Sequence, residues 1–308
     1  MLHLDDALLP QLRLMNACKL FSARETDVRT SGRVIRLWGG EDALRELAQM
    51  LPDFEQPTLT FSGSGDFHHV TALLLERLSQ RVAQPFTLIH FDNHPDWVHF
   101  KVGMHCGSWI NRVASLPAIA KAITIGVSSH DLDWPEFKRA NLRLLCEGWL
   151  ELFPYAHLPS RVWRQYGRGA GYTQRGHAIV WRTMTEMDET DFLRLLLSRI
   201  NTDSIYITID KDVLAEQEAI TNWDQGWMKL EQLCGIVQAL GDRFRIIGAD
   251  VIGDYSRPAY GGGAWPVAMK RLESFIDQPR RRLGVGEVAA CNEVSNLALL
   301  KTFQEVMA

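Results

Sequence analysis

Short apolar runs alternate with longer amphipathic segments through most of this chain. Several of the short runs are apolar at nearly every position, which is typical of parallel β-strands that are covered on both faces. The longer segments repeat their apolar residues with the period of a helix. The predicted strands are Val34–Trp38, Thr58–Phe61, Phe86–Phe91, Ala122–Val127, Leu142–Cys146, Ala178–Arg182, Ile205–Ile209 and Arg245–Val251.

The helical patterns fall between these strands. Alternation of strand and helix predicts an α/β fold with a parallel sheet and right-handed crossovers. The alternation continues past both glycine-rich stretches, 167–176 and 259–264, so the sequence predicts one domain over residues 1–308. The predicted helices are Glu41–Leu51, Val70–Val82, Trp109–Leu116, Asp191–Ile200, Lys229–Leu240, Pro266–Ile276 and Glu293–Glu305.

Composition narrows the class of protein. The 308 residues are 46% hydrophobic and 23% charged, which is typical of globular proteins. The net charge of −4 does not favour a nucleic-acid or anionic-membrane partner, and the basic run Arg280–Arg282 predicts a solvated turn. The five cysteines are odd in number and widely spaced, which indicates reduced thiols in a cytoplasm. No signal-peptide pattern opens the chain, and no apolar run approaches the ~20 residues of a membrane span.

Carboxylates and histidines follow three of the predicted strands, at the point where each strand ends. Residues 65–69 read Gly-Asp-Phe-His-His, residues 92–96 read Asp-Asn-His-Pro-Asp, and residues 210–212 read Asp-Lys-Asp. Because ligands bind at the carboxyl ends of parallel strands, we expect these side chains to meet at one edge of the sheet. Such a group of acids is costly to bury unless something pairs with it, and two divalent cations would neutralise the charge.

The spacing within the segments suits metal ligation. Asp92, His94 and Asp96 lie two positions apart and share a face of an extended segment, and Pro95 disfavours a helix there. Carboxylates with histidine favour Mn²⁺ or a similar ion over a structural zinc, which would favour cysteine. A lone Asp-x-Asp is typical of a loop or a helix cap, so the prediction rests on the three segments together.

The three segments resemble the signatures of the arginase/agmatinase (ureohydrolase) superfamily, which are Gly-Gly-Asp-His-Ser, Asp-Ala-His-x-Asp and Ser-x-Asp-x-Asp. The order of motifs and strands is similar over most of residues 30–300. The resemblance implies a three-layer α/β/α sandwich with a mainly parallel central sheet and two Mn²⁺ ions per chain. The metal ligands that it implies are His68, Asp92, His94, Asp96, Asp210 and Asp212.

The first motif departs from the family pattern. It carries an extra residue, Phe67, between its acid and its histidine. Aligning Val70 and Thr71 with the family pattern selects His68 as the ligand, and His69 remains an alternative.

The resemblance also implies two catalytic residues. A histidine that transfers protons follows the second motif in the family, and His105 resembles it with one insertion, while His99 is an alternative. Histidine suits proton transfer near neutral pH. Asp96 would help to stabilise the tetrahedral intermediate.

The substrate-binding features of the family are altered. The family glutamate that binds a guanidinium group is replaced by Gly253, and the neighbouring Asp254 is the candidate to pair with a cationic group. The loop between Asp96 and His105 is short and lacks the polar residues that grip the backbone groups of free arginine in arginases. Trp97, in this loop, is a candidate to stack on the substrate, with a loop anchor as the alternative.

The resemblance therefore implies a hydrolase in which a metal-bound hydroxide attacks a C–N bond of a guanidino or amidino compound, releasing urea or a similar product. An amide hydrolase of the deacetylase kind is an alternative, because Tyr260 precedes the glycines 261–263. A non-catalytic metal-binding descendant is a third. The expected partner is a small-molecule substrate rather than a nucleic acid or a membrane, and the resemblance allows a homo-oligomer.

Overall fold

A six-stranded parallel sheet lies at the centre of the computed structural model, which describes residues 1–53, 56–280 and 284–307. The strands in chain order are β1 Leu2–His3, β2 Thr26–Asp27, β3 Trp38–Gly39, β4 Leu59–Phe61, β5 Phe86–Phe91, β6 Met104–His105, β7 Ile119–Ile125, β8 Leu150–Phe153, β9 Ser160–Arg161, β10 Tyr172–Arg175, β11 Ala178–Trp181, β12 Ser204–Asp210 and β13 Arg245–Ile252. The central sheet has the order β4-β13-β12-β5-β7-β8, and every neighbouring pair in it is parallel.

Helices cover both faces of this sheet. The helices are α1 Leu12–Leu20, α2 Arg29–Ile35, α3 Glu41–Met50, α4 Val70–Ser79, α5 Trp109–Val113, α6 Leu142–Cys146, α7 Glu189–Arg199, α8 Leu230–Gly241, α9 Ala264–Asp277 and α10 Val285–Val306. One apolar cluster joins the sheet to α3, α4, α5 and α6. A second joins the opposite face to α1, α7, α8 and α10. Because successive strand residues point to opposite faces, strands such as β5 and β7 contribute to both clusters. The predicted three-layer α/β/α sandwich is confirmed.

Two predicted strands were wrong. Leu142–Cys146 forms α6, and the sixth strand of the sheet is Leu150–Phe153, which the sequence did not predict. A five-residue run with four apolar positions fits a buried strand and a buried helix equally well, so periodicity cannot separate them. Most of Val34–Trp38 is the end of α2 and a turn, with a short strand beginning at Trp38.

The predicted strand at 178–182 does form, but it lies outside the central sheet. It pairs antiparallel with β10 and β9 in a small three-stranded sheet. Of the basic run at 280–282, the last two residues lie outside the described residues. None of the helices in the described part of the chain combines the length and hydropathy that a membrane crossing requires. That residues 1–308 form a single domain remains a prediction.

Candidate metal centre

His68 lies among three carboxylates that come from two other strand ends. Its Nδ1 lies 2.9 Å from Asp92 Oδ2, 3.1 Å from Asp96 Oδ2 and 3.6 Å from Asp210 Oδ2, and all four side chains are buried. Although these oxygens are close, the buried Nδ1 makes no hydrogen bond of acceptable geometry with the described residues. Its lone pair faces the space that the acids enclose, as a metal-binding nitrogen would.

A second group of donors adjoins the first. His94 Nδ1 lies 2.9 Å from Asp212 Oδ2 and 3.5 Å from Asp92 Oδ1. Asp92 therefore faces both histidines, one with each carboxylate oxygen. This arrangement matches what two neighbouring cations with a shared carboxylate would need.

Lysine and arginine side chains of the described residues do not neutralise the negative charge of these acids. Among the described residues, no lysine or arginine side chain pairs with Asp92, Asp96, Asp210 or Asp212, and the basic side chains nearest to these acids are histidines. Burial and the neighbouring Asp92 charge raise the pKa of Asp96 and of Asp210 to about 6. Burial and the charges of Asp210 and Asp92 raise the pKa of Asp212 well above its ordinary range. Burial and mutual repulsion thus disfavour the ionised form of these acids. Bound divalent cations would stabilise that form.

Neighbouring side chains hold these donors in place. His68 Nε2 lies 3.1 Å from Thr208 Oγ1, which donates to Asp250 at 3.0 Å, and this fixes the ring with Nδ1 toward the acids. Asp96 adopts a left-handed backbone conformation, with φ of 49°, and accepts a 2.5 Å hydrogen bond from Trp109 Nε1. A non-glycine residue in this region is strained, and such strain clusters at functional sites.

The close approach of two strand ends requires a glycine. A Cβ atom on Gly65 would lie 2.6 Å from Asp210 Oδ2. Any other residue would displace the Asp210 carboxylate from this position, so Gly65 leaves room for that donor.

Three further residues of this region were not predicted. His90 Nε2 lies 2.9 Å from Asp92 Oδ2, and His90 forms a possible four-residue metal group with His68, Asp92 and Asp96. Asp224 Oδ1 lies 2.9 Å from His94 Nε2, so it orients that ring from the outer side. The third, Glu273, contacts His105. His90 sits inside an apolar strand pattern two residues before Asp92, and that spacing was a usable signal.

His105 forms a dyad with Glu273 at the edge of the cavity. Its Nδ1 accepts a 2.8 Å hydrogen bond from the Gly107 backbone, so its other nitrogen, Nε2, carries the proton. That nitrogen donates to Glu273 Oε1 at 2.5 Å. Both residues line the cavity above the carboxylates.

The two histidines of the first motif have different surroundings. His68 faces the acids, whereas His69 does not belong to either donor group. Burial lowers the pKa of His69 well below its ordinary value, which keeps that ring neutral. The geometry therefore favours His68 over the alternative.

The prediction that Asp254 binds the substrate needs correction. Its carboxylate is buried, accepts a 2.6 Å hydrogen bond from Lys211 Nζ and contacts Asn296 of α10, and it does not line the cavity. Gly253 cannot be replaced by an acid on this backbone either, because it has a φ of 101° and its Cβ would collide with Asp210 Oδ1. A buried carboxylate paired with a buried lysine has no free side for a ligand.

Trp97 needs a similar correction. Its side chain is fully buried in the apolar cluster beneath the loop and does not line the cavity. It is the loop anchor that the sequence left open as the alternative. Trp223 lines the cavity instead, with its ring centroid 5.9 Å from that of His94.

The cavity above the donors has a volume of about 770 Å³. Besides the proposed metal ligands, its lining includes several acids and fewer cations: Asp131, Asp224, Glu273, Asp277, Lys138 and Arg139. Such a lining favours a positively charged ligand.

Comparison with known proteins identifies the family of this chain. The family model described as "Arginase family" matches residues 40–254. This chain belongs to the arginase family. The matched range contains both donor groups and ends at Asp254, before α9 and Glu273.

An uncharacterized protein of Thermotoga maritima is 25% identical to this arginase-family chain over 213 residues, which are 68% of this chain and 65% of that protein. The fold is also similar to that of solved structures. A hypothetical agmatinase from Burkholderia thailandensis has a TM-score of 0.50 and 19% identity, covering 86% of this chain and 64% of that one. The chain thus spans a little under two thirds of both proteins.

Two further structures have the same fold. Proclavaminate amidino hydrolase from Streptomyces clavuligerus gives a TM-score of 0.52 at 15% identity, over 88% of this chain and 74% of that one. Arginase from Bacillus caldovelox gives 0.54 at 13% identity, over 93% and 88%. At these identities the similarity establishes the architecture alone.

Proposed function

We propose that this protein is a hydrolase that uses two divalent cations, Mn²⁺ by preference, to cleave a C–N bond of a guanidino or amidino compound. His68, Asp92, Asp96 and Asp210 would hold one ion. His94 and Asp212 would hold the other together with the shared acids Asp92 and Asp210. The observation that carries this proposal is the position of His68 Nδ1, which is buried, unbonded and within 3.6 Å of three carboxylates.

The chemistry that the ions supply when bound is a nucleophilic water at neutral pH and charge stabilisation for the reacting carbon. The residues of the chain would position the reacting groups. Asp96, whose second contact is the Trp109 indole, is held rigidly beside the site of attack.

The charge of the cavity supports a cationic substrate. Two ions would largely neutralise the four carboxylates of the proposed ligand set, which leaves Glu273 and Asp277 among the remaining acids of the lining. Glu273 and Asp277, both on α9, would attract a guanidinium or amidinium group to the cavity through their charge, since Asp254 is committed to Lys211 and does not line the cavity.

His105 would supply the proton that the leaving amine needs. Its Nε2–H points to Glu273, and the Gly107 amide fixes this tautomer. A second proton would enter at Nδ1, with loss of the hydrogen bond from Gly107, and the Glu273 carboxylate would stabilise that imidazolium until one of its protons passes to the amine.

The names of the similar solved structures support the proposed substrate class. They include a hypothetical agmatinase, an arginase and a proclavaminate amidino hydrolase. The short loop before His105 argues against free arginine, because the cavity side of this loop presents Val98 and His99. We therefore propose a guanidino compound without an α-amino acid head group.

A substrate panel tests this proposal. Mn²⁺-loaded protein is incubated with guanidino and amidino compounds that carry neutral, cationic and amino-acid ends, and urea or ammonia is measured. The Asp210→Asn variant serves as the blank for contaminating activity. Product release by the wild type alone supports the proposal, whereas metal binding without turnover on the whole panel would favour a non-catalytic descendant.

The residue that suggested an amide hydrolase does not support that alternative in the structure. Tyr260, which suggested it, does not line the cavity. Acetylated amines belong in the same panel, and their cleavage in preference to guanidino compounds would reverse this ranking. Location in the cytoplasm remains an expectation from the reduced cysteines.

A further inference from the structure

Helix α9 presents its large apolar side chains to solvent, whereas its Lys270 and Glu273 face the protein. Its outward side chains Trp265, Met269, Leu272, Phe275 and Ile276 are 39–75% exposed. On the opposite face, Lys270 is 1% exposed. This is the reverse of the usual pattern, in which a surface helix buries its apolar stripe.

The inner contacts prevent α9 from rotating to bury that stripe. Lys270 Nζ donates to the carbonyl oxygens of Val34 at 2.5 Å and of Trp38 at 2.6 Å, and lies 4.4 Å from the centroid of the Trp38 ring. Glu273, on the same side, accepts hydrogen bonds from His105 and Trp38. The exposed stripe is therefore a fixed feature of the folded chain.

The spacing of the stripe fits a helix partner. Trp265, Met269, Leu272 and Ile276 follow one another at intervals of four, three and four residues. This is the spacing of the seam along which two helices pack side by side with knobs in holes. A two-fold axis makes such a seam complementary to itself, because both partners present the same residues.

The charges at the ends of α9 favour an antiparallel partner. Its first turn contains no acid and Gly263 offers no capping side chain, so the positive end of the helix dipole is unopposed. Asp277, an acid, is the last residue of the helix and is exposed, where its own dipole disfavours it. In an antiparallel pair, Asp277 would lie beside the first turn of the other helix. Its negative charge would then oppose the positive end of that helix dipole.

The area is also of the right order. Large side chains of this kind each present ~150–250 Å² when fully exposed, so the five together leave on the order of 500 Å² of apolar surface in water. A patch of this size is as large as the largest apolar patch of many monomers, and a stable interface buries about 800 Å² on each partner. The stripe with its surrounding residues can supply most of that.

We propose that the outward stripe of α9 is the interface of a two-fold homodimer in which the α9 helices pack antiparallel. Met269 of one protomer would then face Leu272 of the second copy, and Trp265 would face Ile276. Because Ile276 and Asp277 also line the catalytic cavity, the second copy would stand at its rim and narrow its mouth. This inference does not depend on the proposed function, since it rests on the surface of α9.

Molar mass in solution tests the proposal. Size-exclusion chromatography with light scattering should give a dimer for the wild type and a monomer for Leu272→Glu. The control is Leu158→Glu, which puts the same charge at an exposed leucine in the loop before β9 and should remain dimeric. Circular dichroism of both variants verifies folding. A monomeric wild type overturns the proposal, and so does a Leu272→Glu variant that stays dimeric.

Cysteine cross-linking tests the direction of packing. Oxidation of the Met269→Cys/Leu272→Cys variant should give a covalent dimer, because these positions face each other in the antiparallel pair. The single Ile276→Cys variant should not cross-link beyond the wild-type background, which controls for the native cysteines. Cross-linking through Ile276→Cys would show a parallel pair and contradict the antiparallel arrangement.

Discussion

Glu273 Oε1 lies 2.5 Å from His105 Nε2, although the two residues are 168 positions apart in the chain. The contact joins α9 to the short strand β6, and it brings an acid from outside the family-matched range to the cavity. The same carboxylate accepts a 3.1 Å hydrogen bond from Trp38 Nε1, so its position is fixed from two sides. A histidine held in this way has a defined tautomer, which proton transfer requires.

The Glu273→Gln variant should therefore lose turnover. The amide keeps the size of the side chain but removes the charge that stabilises a protonated His105, so we expect kcat to fall by roughly 10- to 100-fold. The double variant with His105→Asn should be no slower than His105→Asn alone, because the two residues act as one unit. Steady-state kinetics measures both.

Trp38→Phe is the matched control for this dyad. It removes the other hydrogen bond to Glu273 and leaves the contact with His105 in place, so a small change in kcat is expected. If Glu273→Gln instead raised KM with kcat unchanged, the carboxylate would be a substrate-binding group without a role in proton transfer.

Asp210→Asn should weaken metal binding. Asp210 faces His68 at 3.6 Å and supports the 210–212 turn by accepting a 3.0 Å hydrogen bond from the Asp212 backbone. Loss of an outer residue that orients a ligand typically costs 10- to 100-fold in metal affinity, and loss of a direct ligand should cost at least ~10-fold. Elemental analysis after dialysis against limiting Mn²⁺ measures this.

The comparison variant is Asp131→Asn. Asp131 lines the same cavity but pairs with Lys138 at 2.7 Å, and it contacts none of the donor groups. Its metal content should equal that of the wild type. Equal loss in both variants would mean that the cavity binds cations diffusely rather than at the proposed ligands.

Asp254→Asn should unfold more easily yet bind substrate normally. The change leaves the fully buried Lys211 ammonium without its charge partner, which typically costs ~3–5 kcal/mol of unfolding free energy. Replacing both partners, as in Lys211→Met/Asp254→Leu, should cost less than Asp254→Asn alone. Urea unfolding gives the stabilities. A rise in KM for Asp254→Asn at unchanged stability would restore the substrate-binding role predicted from the sequence.

Glu151 makes stability depend on pH. This buried acid of β8 receives hydrogen bonds from Lys121 Nζ at 2.7 Å and from Arg199 at 2.6 Å and 2.9 Å. Burial raises the pKa of Glu151, but the hydrogen bonds from Arg199 and Lys121 lower it by a larger amount. The net pKa therefore lies below its usual 4.5. The folded state therefore holds the proton less tightly than the unfolded state, and the stabilisation is present above pH ~4.5 and disappears as the pH falls through the folded pKa.

Glu151→Gln should consequently be ~1–3 kcal/mol less stable than the wild type at pH 7. The difference should shrink as the pH is lowered toward 4, because the wild type then begins to lose the same charge. Unfolding titrations at several pH values measure this difference. Glu147, which pairs with Arg143 on the surface, provides the control variant Glu147→Gln for the loss of a surface charge. A difference that grows on acidification would contradict the sign of this shift.

The sequence predicted the parts of the site that lie close together along the chain. Asp92, His94 and Asp96 are carried by one extended segment, and the strand that precedes it, Phe86–Phe91, was predicted with its observed bounds. The spacing of two residues and the apolar strand before it are local properties, so a single sequence contains them. The same holds for Asp210 and Asp212.

The residues that were missed or misassigned depend on contacts between distant segments. Glu273 belongs to a helix whose register over His105 is set by Lys270 and Trp38, and no local pattern reveals that contact. Asp254 resembled a substrate-binding acid because Lys211, its actual partner, is 43 positions away. Leu142–Cys146 was misassigned because tertiary packing, rather than the apolar run itself, decided between strand and helix.

Anomalous scattering from crystals grown with Mn²⁺ tests the central claim most directly. Our account predicts two peaks about 3.5–4 Å apart, one against Nδ1 of His68 and the other against Nδ1 of His94, with Asp92 touching both. A single peak, or manganese bound away from these two nitrogens, would contradict it.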